Sequence, residues 1–345
     1  MHTECSDRFW INHQNFITHL FLYLSYSGYN EKNFGIQMMI FTWFMLSCAK
    51  LSIYEARKAT VPPPVPEIGE QASAAEKRGG RLYRVAGCVG CHSPPFPEAK
   101  HLGGNRDLPT VFGRFYAPNI SPHPIDGIGN WTEEDFFRAM KKGISPKNKP
   151  YWPTFPYMAY TKMSDQDIRD LWAYLRSQKP VQGKTKPKEL NPNYRIPGLI
   201  NIWRWMEFKQ GTYIPDPNLN EVENRGRYLS QSVAYCDQCH TPRNRLGRLV
   251  KKYYMAGGSN PGKSEVHPNL TTHKEKGIGS WSSSDIVTFL STGLKPNGEK
   301  ADHNQIMAEK IEDSYSYFSD EDKKAIAAYL KSLEPIDFDP KQFQP

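Results

Sequence analysis

The chain has 345 residues, 38% hydrophobic and 13% aromatic, enough for two or three globular domains with flat groups to wrap. Its formal charge of +8 is not gathered into a Lys/Arg stripe with interleaved aromatics, which argues against nucleic acid as a partner. Six cysteines are present, and the spacing of four of them, described below, leaves only Cys5 and Cys48 over, which argues against a disulfide framework.

Residues 1–60 read as a signal or anchor region. They hold two short apolar runs, Phe16 to Tyr29 and Ile36 to Leu46, too short to span a bilayer comfortably and better matched to the core of a signal peptide. Met45-Leu46-Ser47-Cys48 resembles a bacterial lipobox with Met in place of the usual Leu, so a lipid anchor at Cys48 is expected. The plainer alternatives are an uncleaved N-terminal anchor or a start codon misassigned upstream of Met38. Positions 61–72, opening Val61-Pro62-Pro63-Pro64-Val65-Pro66, read as a semi-rigid extended spacer.

A first domain is expected over 73–180. Ser73 to Val85 reads as a helix, with Gly79 and Gly80 allowing another helix to approach closely. It leads into Cys88-Val89-Gly90-Cys91-His92, and the same pattern returns 148 residues later as Cys236-Asp237-Gln238-Cys239-His240. Cys-x-x-Cys-His is the attachment pattern of c-type haem. On a helix its cysteines stand one turn apart and its histidine falls on the same face. Two thiols add to the haem vinyl groups and the imidazole reaches the iron as proximal ligand. A zinc half-site or a dithiol redox pair is the plainer reading of one copy. Two copies this far apart, each followed at once by histidine, favour two covalently bound haem c groups. Their four propionates would lower the net charge to about +4. Covalent haem attachment takes place outside the bacterial cytoplasm, so export is required.

Ser93 to Pro124, rich in Pro and Gly, is expected to be irregular chain over the haem rather than sheet. Gly127-Ile128-Gly129-Asn130-Trp131-Thr132 leads into a helix through Met140, capped by Thr132 with Asp135 at the capping-box position. Ser164 caps a last amphipathic helix with Ile168, Leu171, Trp172 and Leu175 on one face. Residues 181–224 form a linker. Within it Leu199-Ile200-Asn201-Ile202-Trp203-Arg204-Trp205-Met206 fits a helix that dips into lipid or meets a partner, against the plainer reading of a packing helix with buried tryptophans.

A second domain over 225–336 repeats the first. Pro268-Asn269, Gly277-Ile278-Gly279 and Trp281 match Pro118-Asn119, Gly127-Ile128-Gly129 and Trp131 at a constant offset of 150. Ser319-Asp320-Glu321-Asp322 and Ala328-Tyr329-Leu330 match Ser164-Asp165-Gln166-Asp167 and Ala173-Tyr174-Leu175 at 155. This is a tandem duplication of two small all-α domains. A haem that only carries electrons has both axial positions filled, commonly by a methionine thioether opposite the histidine. In the second domain Met307, in the loop before the closing helix, is preferred to His303 and to Met255, which follows the haem motif too closely. In the first, Met140 sits inside a helix and Met163 fits a hydrophobic staple onto Ile168, leaving Met158 in the aromatic loop Tyr151 to Met158.

The motifs from about Gly79 to Leu333, including Asn224-Arg225-Gly226-Arg227-Tyr228-Leu229, Cys236 to Asn244, Asn119-Ile120-Ser121 and Met307-Ala308-Glu309, resemble a known group. They are similar to the cytochrome c subunits of membrane-bound bacterial alcohol and gluconate dehydrogenases and their dihaem relatives. That resemblance implies an all-α fold, a tandem pair of class I cytochrome c domains, and a carrier rather than an enzyme. Electrons would come from a periplasmic dehydrogenase and pass to an oxidase, quinone or soluble cytochrome at the inner-membrane surface. Two features depart from the group. Those subunits usually carry three haem motifs, and their first-domain Met-Pro-Tyr, whose methionine is a ligand, is here Phe155-Pro156-Tyr157. The competing expectation is a dihaem enzyme of peroxidase or thiosulfate dehydrogenase type with a substrate-accessible first haem, although no cysteine remains in either domain to serve as the latter's distal ligand.

Overall fold

Ser73 accepts from the Glu76 amide while the Glu76 carboxylate accepts from the Ser73 amide, and this reciprocal cap starts helix α1 (Ala74–Val85). The computed structural model describes residues 65–93, 100–244, 247–259, 266–302 and 306–341. The expected signal runs, the anchor at Cys48, the first part of the spacer and His303 lie outside them. After α1 come α2 (Cys88–His92), strands β1 (Asp107–Thr110) and β2 (Gly113–Tyr116), α3 (Glu133–Lys142), the single-turn α4 (Tyr157–Tyr160), α5 (Asp165–Ser177), β3 (Glu189–Leu190) and α6 (Leu199–Glu207). The order then recurs as α7 (Glu221–Tyr228), α8 (Cys236–His240), β4 (Gly258–Ser259), β5 (Val266–His267), α9 (Ser283–Thr292), α10 (Ile306–Asp313) and α11 (Asp320–Ser332).

Each of the two sets of elements is built on one close helix crossing. A Cβ on Gly79 would lie 1.9 Å from the Asp170 carbonyl oxygen, so α1 and α5 touch backbone to backbone. Gly226 in α7 meets the Ala325 carbonyl of α11 at the same 1.9 Å. Only hydrogen fits there. Around the crossings Tyr83, Leu171, Tyr174, Leu229, Ile326 and Tyr329 are buried. Capping follows the sequence: Thr132 with Asp135 and Ser282 with Asp285 start α3 and α9, and Ser164 and Ser319 start α5 and α11. Helix α3 runs past Met140 to Lys142, where Gly143 at φ 60° ends it. Met140 and Met163 are buried in the core.

Several expectations need correction. The chain is mostly helical but not wholly so, because the Pro/Gly-rich stretch contains a hairpin: β1 pairs antiparallel with β2, and β2 with β3. The turn is held by Thr110 Oγ1, which donates to Gly113 O and accepts from Phe112 N. Gly113 must be glycine, since its φ is 132° and a Cβ would meet Glu189 O at 2.1 Å. A second small sheet joins β4 to β5. The spacer's described end is not free chain either: Val65 is buried and the Ile68 side chain packs on Gly80. Residues 181–190, expected in the linker, lie on the first set of elements through β3 and through hydrogen bonds from Asn119. Residues to Phe338 lie on the second set, where that ring stacks on Tyr253 at 4.3 Å between centroids. No residue of α6 is buried, so the packing helix with buried tryptophans is not what forms.

Replacing Gly226 with Ala should force α7 and α11 apart and lower the thermal midpoint, by about 1–3 kcal/mol of stability or more. Gly69→Ala, with nothing within 4 Å of the added methyl, should leave the midpoint unchanged. Equal melting of both variants would remove the crossing from its structural role.

Candidate functional site

The two Cys-x-x-Cys-His sequences each form a single helical turn, entered through a residue in the left-handed region: Gly87 at φ 70° before α2 and Tyr235 at φ 44° before α8. All four cysteines are half-buried. The histidine rings are fixed in the same way in both copies. Nδ1 of His92 lies 2.7 Å from the Pro118 carbonyl oxygen, and Nδ1 of His240 lies 2.8 Å from that of Pro268. Each Nδ1 therefore carries the proton and donates, leaving Nε2 as the lone-pair nitrogen.

The carbonyls that receive those bonds are themselves pinned. Asn119, buried, accepts from the amide and hydroxyl of Ser121 and donates to Val181 O at 2.7 Å. Asn269, also buried, does the same with Thr271 and Ile336 O. The following Gly-Ile-Gly folds back so that Ile128 N donates to Ser121 O and Ile278 N to Thr271 O, both at 2.9 Å. Cβ atoms on Gly127 and Gly277 would stand 2.1 and 2.3 Å from those carbonyls. The repeated Pro-Asn and Gly-Ile-Gly sequences are thus one device: a histidine, its acceptor, and the clamp on the acceptor.

Burial lowers His92 and His240 to about 4, so both imidazoles are neutral at pH 7, the form that binds a metal. Burial raises the Cys88 and Cys236 thiols to about 12. That is the opposite of the lowered value a reactive dithiol favours, and it argues against the thioredoxin-like reading. Among the described residues no three His, Cys, Asp or Glu side chains gather as a metal cluster, so the motifs do not combine into a zinc site. Two thiols and one proton-donating, carbonyl-anchored imidazole on each turn fit covalent haem c.

Opposite elements are tied to the motifs by tyrosines that the sequence reading did not single out. Tyr160 donates to Ala86 O at 2.7 Å and Tyr315 to Ala234 O at 2.9 Å, two residues before the first cysteine of each motif. Their offset of 155 was available as a signal. Met158 is half-buried and lies in α4, not in a loop, two residues before Tyr160. Met307 is half-buried, packs against the core and lies in α10, also not in a loop, eight residues before Tyr315. Met255 is fully buried at φ 59°, its amide donating to Thr241 Oγ1 beside the motif.

The two motifs also approach one another. Gly87, at φ 70°, lies close to both: a Cβ there would stand 2.6 Å from Lys310 Nζ and 2.9 Å from the Tyr235 hydroxyl. Lys310 donates to that hydroxyl at 2.7 Å, and the Tyr160 and Tyr235 rings meet edge to face at 6.0 Å. Arg106 bonds the Gly90 carbonyl inside the first motif and makes a two-pronged ion pair with Glu309, its second prong at 2.8 Å. Lys162 lies 3.8 Å from Asp237, which is buried inside the second motif.

This arrangement is that of a c-type cytochrome. A family model for cytochrome c matches residues 76–179, and the chain belongs to the cytochrome c family. It is 36% identical over 275 residues to a dihaem c-type cytochrome of Cereibacter sphaeroides, covering 79% of this chain and 90% of that one. It is 34% identical over 278 residues to the fructose dehydrogenase cytochrome subunit of Gluconobacter japonicus, covering 80% and 56%. With the cytochrome c subunit of the quinone-dependent alcohol dehydrogenase of Gluconobacter oxydans the identity is 34% over 272 residues, covering 75% and 55%. The chain thus spans little more than half the length of these two dehydrogenase subunits. Its cofactors are two covalently bound haem c groups.

Tyr235→Phe would leave the Lys310 ammonium without its hydroxyl acceptor and should cost about 1–3 kcal/mol in denaturant unfolding. Adding Lys310→Met should restore part of that loss. Strictly additive effects in the double variant would show that the two side chains are not coupled.

Proposed function

We propose that this chain relays electrons from a periplasmic dehydrogenase to a respiratory acceptor (an oxidase, a quinone or a soluble cytochrome), working at the outer face of the inner membrane. The observation that carries this reading is the twofold histidine device, His92 on Pro118 and His240 on Pro268, with the two motifs in side-chain contact through Tyr160, Tyr235 and Lys310. Support also comes from relatives named as cytochrome subunits of fructose and alcohol dehydrogenases. Cys88 and Cys91 would hold one haem and Cys236 and Cys239 the other, in a tandem pair of class I cytochrome c domains. His92 and His240 would be the proximal ligands, with Met158 and Met307 on the opposite sides. When bound, the irons supply the one-electron chemistry. The chain's own residues keep each imidazole neutral and oriented, and pack side chains between the two motifs.

A carrier needs two filled axial positions, so ferric protein should show a methionine-to-iron charge-transfer band from both haems and no rapid cyanide binding. Met307→Ala should abolish the contribution of one haem and Met158→Ala that of the other, read by near-infrared magnetic circular dichroism. An unchanged spectrum in either variant strikes that methionine from the ligand set. A high-spin first haem that binds cyanide or peroxide in the native protein would instead favour the dihaem enzyme.

A further inference from the structure

Helix α6 has its polarity inverted. An amphipathic helix on a protein surface ordinarily turns its apolar stripe inward and its charges to water. Here the charged side chains face the body. Arg204 donates to Gly143 O at 3.3 Å and to Lys142 O at 2.5 Å, and its guanidinium lies over the rings of Tyr157 and Phe208 at 4.9 and 5.0 Å. Glu207, one turn on, is ion-paired with Arg248. These two residues, with Phe208 packed edge to face on Tyr157, fix the helix at its C-terminal half. The opposite stripe is therefore turned to solvent: Trp205 is 85% exposed and Ile202 58%, with Met206 beside them and Ile196, 61% exposed, just before the helix.

An apolar stripe held outward by charged contacts on the other face is not a packing remainder. It is displayed. The chain that carries and precedes it is strongly basic. Positions 179–210 hold seven Lys or Arg and two Glu, a net +5 out of the whole chain's +8. Both acids are engaged, Glu207 with Arg248 and Glu189 by the Tyr116 hydroxyl at 3.1 Å. Lys184, Lys186, Lys188, Arg195 and Lys209 are all exposed.

We infer that α6 and the basic run before it dock this protein on an anionic phospholipid surface, with Ile202, Trp205 and Met206 entering the headgroup boundary. The inference rests on, and deepens, the placement at the inner membrane made above. The chemistry favours lipid over a protein partner on two counts. Three apolar side chains on a nine-residue helix and one just before it are far short of the roughly 800 Å² per partner of a stable protein interface, yet they suffice for shallow interfacial insertion. The cations come from extended, proline-interrupted chain, which suits a field of many like phosphates better than one fixed set of acidic partners. Tryptophan is the residue most at home at that depth.

The test is flotation of the full-length holoprotein with vesicles of phosphatidylcholine alone and with about a quarter phosphatidylglycerol. Native protein should partition more strongly onto the anionic than onto the neutral vesicles, and salt should remove the difference. I202S/W205S, altering only exposed side chains, should keep its melting temperature and lose at least about tenfold in partitioning. K184Q/K186Q/K188Q should lose the preference for phosphatidylglycerol. Because every variant keeps residues 1–60, lipid binding by that region cancels from the comparison. Failure of native protein to bind either vesicle would overturn both the membrane placement and the docking role of α6. Native binding matched by I202S/W205S would overturn the α6 assignment alone. Loss of self-association, rather than of vesicle binding, in I202S/W205S would assign the stripe to a second copy of the chain and sink the lipid reading.

Discussion

The backbone contact at Gly79 and Gly226 is the constraint on which the rest depends. Two helices separated by no more than a hydrogen atom at the crossing cannot slide without losing that fit, so α1 is fixed against α5 and α7 against α11. Each motif turn follows its N-terminal helix closely, α2 after Gly87 and α8 after a π-helical turn at Leu229–Val233. The crossing therefore sets where each motif begins. The histidine at the end of the turn then needs an acceptor at one place, and the Pro-Asn clamp delivers it. Tyr160 and Tyr315, donating to the carbonyls of Ala86 and Ala234, tie the far side of each set to the same short segment.

What was legible in the sequence was local or exactly repeated. Caps at Thr132 and Ser164 depend on contacts three residues away, and the duplicated Pro-Asn and Gly-Ile-Gly marked the clamp before its purpose was known. The parts that were missed depend on distant partners. Strand β3 pairs with β2 from more than seventy positions along the chain, and nothing in Glu189-Leu190 alone marks a strand. The outward stripe of α6 is set by carbonyls of Lys142 and Gly143 and by Arg248, none of which its own apolar pattern specifies. A periodic apolar face tells that a helix has two sides; it does not tell which side the body takes.

The repeat is most informative where it breaks. Gly87 and Tyr235 hold the same position before their motifs and both adopt a left-handed backbone, which is cheap for glycine and costs a tyrosine about 1–2 kcal/mol. The tyrosine is nonetheless the side chain whose hydroxyl, with Lys310, fills the space that a Cβ on residue 87 would need.

Helix α10 concentrates this mutual dependence. It carries Met307 in its first turn and, further along, Glu309 and Lys310, which reach Arg106 and Tyr235. Arg106 in turn bonds Gly90 within the first motif. One rigid turn of helix thus joins the proposed distal group of the second site to the proximal segment of the first. A displacement of α10 moves side chains at both motifs together, since Met307, Glu309 and Lys310 lie on three consecutive levels of the same hydrogen-bonded backbone. Met158 is set in a four-residue helix whose Tyr160 bonds Ala86 O and meets the Tyr235 ring, and whose buried Tyr157 packs against Phe208. The proposed distal groups thus stand on unlike elements, an eight-residue helix for Met307 and a single turn for Met158, while His92 and His240 are equivalent to within 0.1 Å in their bonds to proline.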